Sequence, residues 1–295
     1  MKQITVYHYD AFTSKKGQGN PAGIVIDNAY LTDAEMQAIA YKVGFNETVF
    51  IVKSQKADLG MRYFTPGHEI NLCGHGTIAT LYALKTKGLL QDTGFLTIET
   101  KAGVLPIQVF DEGGEIRIRM TQAAPQFEMY KGSKEMLAEV LEIDAADIHP
   151  ALPIVYGSTG AWTLLVPVTK LETFAAMKPK NQRFPEALTQ MPRASIHPFC
   201  LETIDASKHM HARHFSSPYS GTIEDAVTGT ASGVMGAYYA IYMKPDASQL
   251  ELVVEQGQEI GRNGAVYVHI KRQEAEIKVE ISGTAVYVDE MMINL

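Results

Sequence analysis

The sequence predicts an α+β protein of two similar lobes, in each of which a mostly antiparallel β-sheet wraps one central helix. Three observations predict it. Segments alternating apolar and polar residues recur through the chain, which is the pattern of half-buried strands. Two glycine turns stand one in each half, Leu72-Cys73-Gly74-His75-Gly76-Thr77 and Glu224-Asp225-Ala226-Val227-Thr228-Gly229-Thr230, with Gly74 and Gly229 155 residues apart. Each turn opens a helix with hardly any polar face, and a helix apolar all round is buried on all sides.

The elements follow in order. Ile4, Val6 and His8 share one face of an opening strand, with Thr5 and Tyr7 on the other, so the N-terminus reads as a strand and not as a signal peptide. Gly17-Gln18-Gly19-Asn20-Pro21-Ala22-Gly23 is rich in glycine but has neither dinucleotide nor P-loop spacing, and reads as a flexible loop between strands that closes over a site. Thr32-Asp33-Ala34-Glu35 is a capping box, after which Met36, Ile39, Ala40 and Val43 keep helical spacing and Gly44 ends the helix. Strands follow at residues 49–52, 96–100 and 116–120. A second amphipathic helix covers Lys134–Leu141, with Leu137, Val140 and Leu141 inward. The apolar helices behind the two turns run over residues 78–84 and 231–242, and late strands lie at 266–270 and 277–281. Residues 21–26 and 159–166 share a glycine-then-apolar pattern, so the chain reads as an internal duplication. The divide falls near residue 120, where residues 122–125 break the strand pattern. The N-terminal lobe is therefore 1–119 and the C-terminal lobe 120–283.

Composition excludes several classes. With 295 residues, 46% of them hydrophobic and 20% charged, the chain has ample core for two globular lobes. Its 26 basic and 33 acidic residues leave a net charge of −7, against a nucleic-acid or anionic-membrane partner. A local cradle of N–H groups still suits an anionic substrate. Two cysteines make no disulfide framework and fit a reducing cytoplasm. No apolar run approaches the ~20 residues that span a bilayer.

The candidate chemistry gathers at the turns. Two helix N-termini aimed at one cleft offer free N–H groups around Gly74 and Gly229 to an anionic group. Glu47, between the Gly44 terminator and the strand from Val49, is a carboxylate beside apolar residues. It reads either as a partly desolvated acid–base or as a solvated loop acid. Cys73 reads as a thiolate activated by a helix N-terminus or as a small buried apolar residue. His75 reads as a donor to substrate or as a helix cap. His68, Cys73 and His75 match no zinc spacing, and no metal is expected. His209, His211 and His214 read as exposed strand histidines, because no carboxylate or thiol is spaced to complete a metal site. Asp225 either orients a substrate group or simply favours the positive end of its helix.

At these residues the chain resembles the PhzF family, the phenazine-biosynthesis-like isomerases. The matches run its whole length: Asp10-Ala11-Phe12, Gly19-Asn20-Pro21-Ala22-Gly23, Asn46-Glu47-Thr48, Arg62-x-Phe64-x-Pro66 with Glu69, Leu72-Cys73-Gly74-His75, Met120-x-Gln122 with Pro125, Ser158-Thr159-Gly160, Arg213-x-Phe215, and Glu224-Asp225-x-x-Thr228-Gly229. The resemblance implies the fold of diaminopimelate epimerase, two pseudo-symmetric lobes with the site in the cleft between them. It also implies that the last strand, about 284–295, returns to the N-terminal lobe, that the protein is a homodimer, and that no cofactor is needed. By resemblance Glu47 is the catalytic acid–base. His75, Asp225 and the hydroxyl residue after Gly229, here Thr230 where serine is usual, belong to the site, with Asn20 and Cys73 as further candidates. Ala226 stands where proline is usual. Gly76 stands where alanine is usual and is expected to widen the pocket, as the extra methyl of Thr230 narrows it.

The reading that follows is a cofactor-independent isomerase of a small carboxylate, its proton moved between carbons by Glu47. Two-thiol epimerases carry one cysteine on each lobe, and the second turn has none. The alternatives are a two-base epimerase using Cys73 and a non-catalytic metabolite-binding protein of the same fold.

Overall fold

The computed structural model describes residues 2–27, 31–90, 94–273 and 276–295. The first unit comprises Met1–Thr121 and Ser282–Leu295. It holds strands β1 (Gln3–Ala11) and β2 (Asn20–Val25), helix α1 (Asp33–Val43), strands β3 (Glu47–Val52), β4 (Leu59–Phe64) and β5 (Glu69–Ile70), helix α2 (Gly74–Thr86), and strands β6 (Phe95–Thr100), β7 (Gly103–Glu112) and β8 (Glu115–Thr121). The second unit is Gln122–Ile281. It holds β9 (Gln126–Met129), α3 (Lys134–Leu141), β10 (Val155–Ser158), β11 (Trp162–Pro167), the short α4 (Glu172–Ala176) and α5 (Phe184–Ala187), β12 (Ser195–Cys200), β13 (Met210–Ala212), α6 (Gly229–Tyr242), β14 (Gln249–Gln256) and β15 (Gly264–Gln273). The strand β16 (Glu276–Gly283) leads into β17 (Ala285–Asn294), which lies antiparallel to β1 from Gln3 opposite Asn294 to Ala11 opposite Ala285.

The two units share one strand plan. In the first, the order is β17-β1-β2-β3-β4-β6-β7-β8, antiparallel except at β2/β3 and β4/β6. In the second it is β9-β10-β11-β12-β13-β14-β15, antiparallel except at β11/β12 and β13/β14. The parallel pairs occupy the same places in both orders. Helix α2 packs against β1, β2 and β17 near one end of its order and against β8 at the other, so the sheet curls round it. Helix α6 meets β10 on one side and β14 and β15 on the other in the same way.

Local rules account for the helices. Thr32 caps α1: its hydroxyl accepts from the Glu35 N–H while the Glu35 carboxylate accepts from the Thr32 N–H, and Gly44 closes the helix in the left-handed conformation at φ 73°. Met36, Ile39 and Ala40 then pack on Val6, Val25, Phe50 and Phe64. Full burial of a side chain the size of Ile39 contributes about 1.5–3 kcal/mol. Helix α3 keeps the predicted bounds and buries Leu137, Val140 and Leu141. In α6 the small residues let strands approach closely, and a Cβ at Gly236 would lie 2.6 Å from Val268 Cγ1.

One segment departs from the sequence reading. Asn20-Pro21-Ala22-Gly23 is not a loop but the start of β2, pairing antiparallel with β1 on one side and parallel with β3 on the other. The glycine there reflects crowding: a Cβ at Gly23 would sit 3.1 Å from both Val6 and Thr48. Among the described residues no helix is long and apolar enough to cross a membrane.

Candidate active site

Three elements of the first unit bring four side chains together. Strand β2 opens on Asn20, which is fully buried. Strand β3 opens on Glu47, opposite Ala22 of β2. Cys73 is the N-cap of α2, its Sγ accepting from the Gly76 N–H at 3.2 Å, and His75 lies in the first turn. The imidazole is the hub. Its Nε2 is 3.0 Å from Glu47 Oε2, its Nδ1 3.2 Å from Asn20 Nδ2, and its Nδ1 3.4 Å from Cys73 Sγ. His75 is 7% exposed and the Glu47 side chain 17%, so the pair is screened from water yet open on one side.

The electrostatics follow from this packing. Burial works against a charged His75, but the Cys73 and Glu47 side chains outweigh it and hold the imidazole well above its ordinary value. Burial raises the Cys73 thiol more than His75 and the Gly76 N–H lower it. The Cys73 thiol is thus harder to ionise than a free one, and the carboxylate beside His75 favours its charged form. A carboxylate beside an imidazole can take a proton from carbon and steady the charge left behind.

The second unit arranges its turn differently. Thr228 is the N-cap of α6, but its hydroxyl makes no cap bond and donates to Asp225 Oδ2 at 2.6 Å. Gln256 of β14 braces both residues, its Nε2 donating to the Asp225 carbonyl at 2.8 Å and its Oε1 accepting from the Thr228 N–H at 3.2 Å. Behind Asp225 lie His197 and His214 with their Nδ1 atoms 3.2 Å apart. Burial drives both imidazoles below the ordinary value, His197 the further, so the pair is neutral near pH 7. Gly229 and Thr230 form the first turn of α6, and the Thr230 carbonyl accepts from Thr159 Oγ1 at 3.0 Å.

Several candidates are placed otherwise than the sequence reading has them. His68 stands apart from Cys73 and His75, exposed beside Thr65, and the residue that joins those two is Glu47. His211 is not an exposed strand histidine. It is fully buried, with Nδ1 2.9 Å from Glu255 and Nε2 2.8 Å from Glu259. Those carboxylates come from β14 and the turn after it, a pairing that no spacing in the sequence announces. His214 is half-buried, and only His209 of the three is exposed. Gly76 opens no space, since a Cβ there would lie 2.8 Å from Val49 Cγ2. Cys200 closes β12, donates to the Glu202 carbonyl at 3.1 Å, and is pushed by burial up to about 12. Gln256 and His197 escaped the sequence reading, because each reaches its turn only through strand pairing.

The fold is of the type that racemases and epimerases share. A crystal structure of a probable proline racemase from Agrobacterium radiobacter superposes with a TM-score of 0.65 at 14% identity over 99% of this chain and 93% of that one, a likeness of fold alone. The chain belongs to the phenazine biosynthesis-like protein family (PhzC-PhzF), whose model matches residues 9–291. It is 50% identical to the uncharacterized isomerase YfhB of Bacillus subtilis over the full length of both chains. It is 30% identical to the trans-2,3-dihydro-3-hydroxyanthranilate isomerase of Pseudomonas aeruginosa over 93% of each. The crystal structure of a PhzF-family phenazine biosynthesis protein from Bacillus anthracis superposes with a TM-score of 0.98 at 57% identity, covering all of both chains. The protein is an isomerase acting on a small molecule.

Proposed function

We propose that this isomerase is cofactor-independent, acts on a small carboxylate metabolite, and moves a proton between two carbons by means of Glu47. The observation that carries the proposal is the Glu47–His75 contact of 3.0 Å beside a Cys73 held as a thiol. The carboxylate removes a proton next to a conjugated system. The imidazolium steadies the negative charge as it spreads through that system. Glu47 then returns the proton at another carbon. Substrate binding is assigned to Gly74 and His75 in the first unit and to Asp225, Gly229 and Thr230 in the second, with Asn20 holding His75. The uncapped N–H groups at the start of α6 suit a carboxylate.

Two-thiol epimerisation is disfavoured. Thr228 stands at the second helix N-cap where a thiol would be needed, and Cys200 lies in β12. We also propose a homodimer in the cytoplasm, the first part of which sedimentation equilibrium tests directly.

The catalytic test is proton exchange in deuterium oxide, first with trans-2,3-dihydro-3-hydroxyanthranilate and then with ligands from a thermal-shift screen of small cyclic carboxylates. A ligand at ~100 times its dissociation constant stabilises by about 2.7 kcal/mol. Wild type incorporates deuterium into product, Glu47→Gln does not, and Cys73→Ala stays within a few-fold of wild type. Exchange by Glu47→Gln overturns the mechanism. Loss of exchange in Cys73→Ala restores the two-base epimerase, and a bound ligand with no exchange in wild type restores the non-catalytic reading.

A further inference from the structure

We propose that Glu47, Cys73 and His75 form a binding site for a thiophilic divalent cation, Zn²⁺ foremost, and that the bound metal silences the enzyme. One carboxylate oxygen, one sulfur and one imidazole nitrogen lie within 4.8 Å of one another. Cys73 Sγ is 3.7 Å from His75 Nε2, and that nitrogen is 3.0 Å from Glu47 Oε2. Around tetrahedral zinc, with sulfur at about 2.3 Å and nitrogen or oxygen at about 2.0–2.2 Å, donor atoms stand roughly 3.3–3.6 Å apart. The two pairs that involve His75 therefore lie within a few tenths of an ångström of that spacing, and the Cys73–Glu47 pair, within 4.8 Å, is left for the Glu47 side chain to close.

The donor set is also chemically selective. Thiolate and imidazole favour zinc, cobalt and cadmium over magnesium and calcium, which prefer oxygen ligands alone. All three ligands are held by regular structure: Glu47 begins β3, and Cys73 and His75 flank the first residue of α2. A supporting shell is already in place. The Gly76 N–H donates to Cys73 Sγ, which steadies the thiolate form. Asn20 Nδ2 lies 3.2 Å from His75 Nδ1 and so helps to fix the orientation of the ring whose Nε2 faces Glu47. Three protein ligands leave a fourth position for water or a substrate carboxylate.

Binding displaces protons and changes no oxidation state. The Cys73 S–H proton and any proton on His75 Nε2 pass to solvent as the sulfur and nitrogen take the metal, so affinity falls as pH falls. Among the described residues this is the one such cluster, so one ion per chain is expected. Metal binding stands on the donor geometry alone. Inhibition rests on the acid–base role proposed for Glu47, because a coordinated carboxylate cannot take a proton.

The test uses the full chain, stripped with a chelator and titrated with Co²⁺ and Zn²⁺. Equilibrium dialysis should find one Zn²⁺ per chain, and Co²⁺ should give a near-ultraviolet thiolate-to-metal charge-transfer band. Cys73→Ser should abolish the band and Cys200→Ser should keep it. Glu47→Gln and His75→Asn should each weaken Co²⁺ binding at least tenfold. X-ray absorption of the wild-type zinc protein needs no variant and should show one sulfur among nitrogen and oxygen neighbours. Absence of the band in wild type, its survival in Cys73→Ser, or a shell of oxygen and nitrogen alone overturns the site. Zinc bound in this way without loss of deuterium exchange overturns the inhibition. An active Glu47→Gln variant defeats the proposed mechanism but does not touch the cobalt spectrum of the wild-type protein, so the two failures are distinguishable.

Discussion

In the first unit Arg62 grips Glu69 through two hydrogen bonds of 2.8 Å and its guanidinium lies over Phe64. In the second, Arg213 grips Glu224 at 2.9 and 2.7 Å and lies over Phe215. Both glutamates precede the glycine that opens the central helix by five residues. The registers agree as well: Phe64 lies opposite Thr48 and Phe215 opposite Ile196, while Met61 lies opposite Ile51 and Ala212 opposite Phe199. Each clamp fastens a strand to the segment entering the turn and so fixes where the helix begins.

What hangs on that shared frame differs. By the same registers Glu47 corresponds to Ser195, and counting from Gly74 and Gly229, Cys73 corresponds to Thr228, His75 to Thr230 and Ile70 to Asp225. The first unit carries a carboxylate, a thiol and an imidazole, the groups to which proton transfer is assigned here, and the second carries an oriented acid and hydroxyls. The duplication supplied a scaffold twice, and side chains that bear no load in the scaffold were free to diverge.

The largest effect that tests this asymmetry is on turnover. Glu47→Gln should lower proton exchange by about 10²–10⁴-fold, the usual contribution of a general acid–base, whereas Ser195→Ala should change it less than about twofold. Comparable losses in both would dissolve the comparison.

Next come the clamps. Arg213 is 7% exposed and also donates to the carbonyls of Phe174 and Met177. Removing it leaves the buried Glu224 carboxylate without its cation and takes a donor from both carbonyls, so Arg213→Ala should cost about 3–5 kcal/mol in urea unfolding. Arg62 is 22% exposed, and its outer partner Asp33 is in water, so Arg62→Ala should cost about 1 kcal/mol. Equal costs would show that the frame is shared in energy as well as in geometry.

The caps should differ more gently. Cys73 caps α2 and Thr228 does not cap α6. Cys73→Ala should therefore lower stability by about 1 kcal/mol and Cys73→Ser should hold it, both read by thermal melting.

The smallest effect is on pH dependence. His197 and His214 titrate below their ordinary value of 6.5 in the folded state. The unfolded chain then binds more protons than the native one just below pH 6.5, so stability falls as pH drops through that range, by at most about 1.4 kcal/mol per pH unit for each group. His197→Asn should flatten the slope of unfolding free energy between pH 6.5 and 5. An unchanged slope would mean that the pair does not titrate with unfolding.

Much of the fold was legible because its signals are local. The Thr32–Glu35 box and Gly44 bound α1 within a few residues of chain, and α3 declared itself by the spacing of Leu137, Val140 and Leu141. The paired turns and their apolar helices were legible because a wholly apolar helix has nowhere to lie but inside. Asn20 was misread because glycine and proline mark a loop in sequence, whereas here both lie in a strand and Gly23 relieves crowding between β1 and β3. His211 was misread because its two carboxylate partners lie 44 and 48 residues further on.

The sequence by itself determined the class of fold, the duplication and the identity of the groups able to do chemistry, since these depend on periodicity and residue type. Tertiary structure alone decided which groups meet. Glu47 and His75 are 28 residues apart in the chain, and only the start of β3 laid beside the first turn of α2 brings a carboxylate within 3.0 Å of an imidazole. That contact, with the burial around it, raises both the His75 imidazole and the Cys73 thiol above their ordinary values, because the cost of a charge in a buried site depends on its neighbours in space.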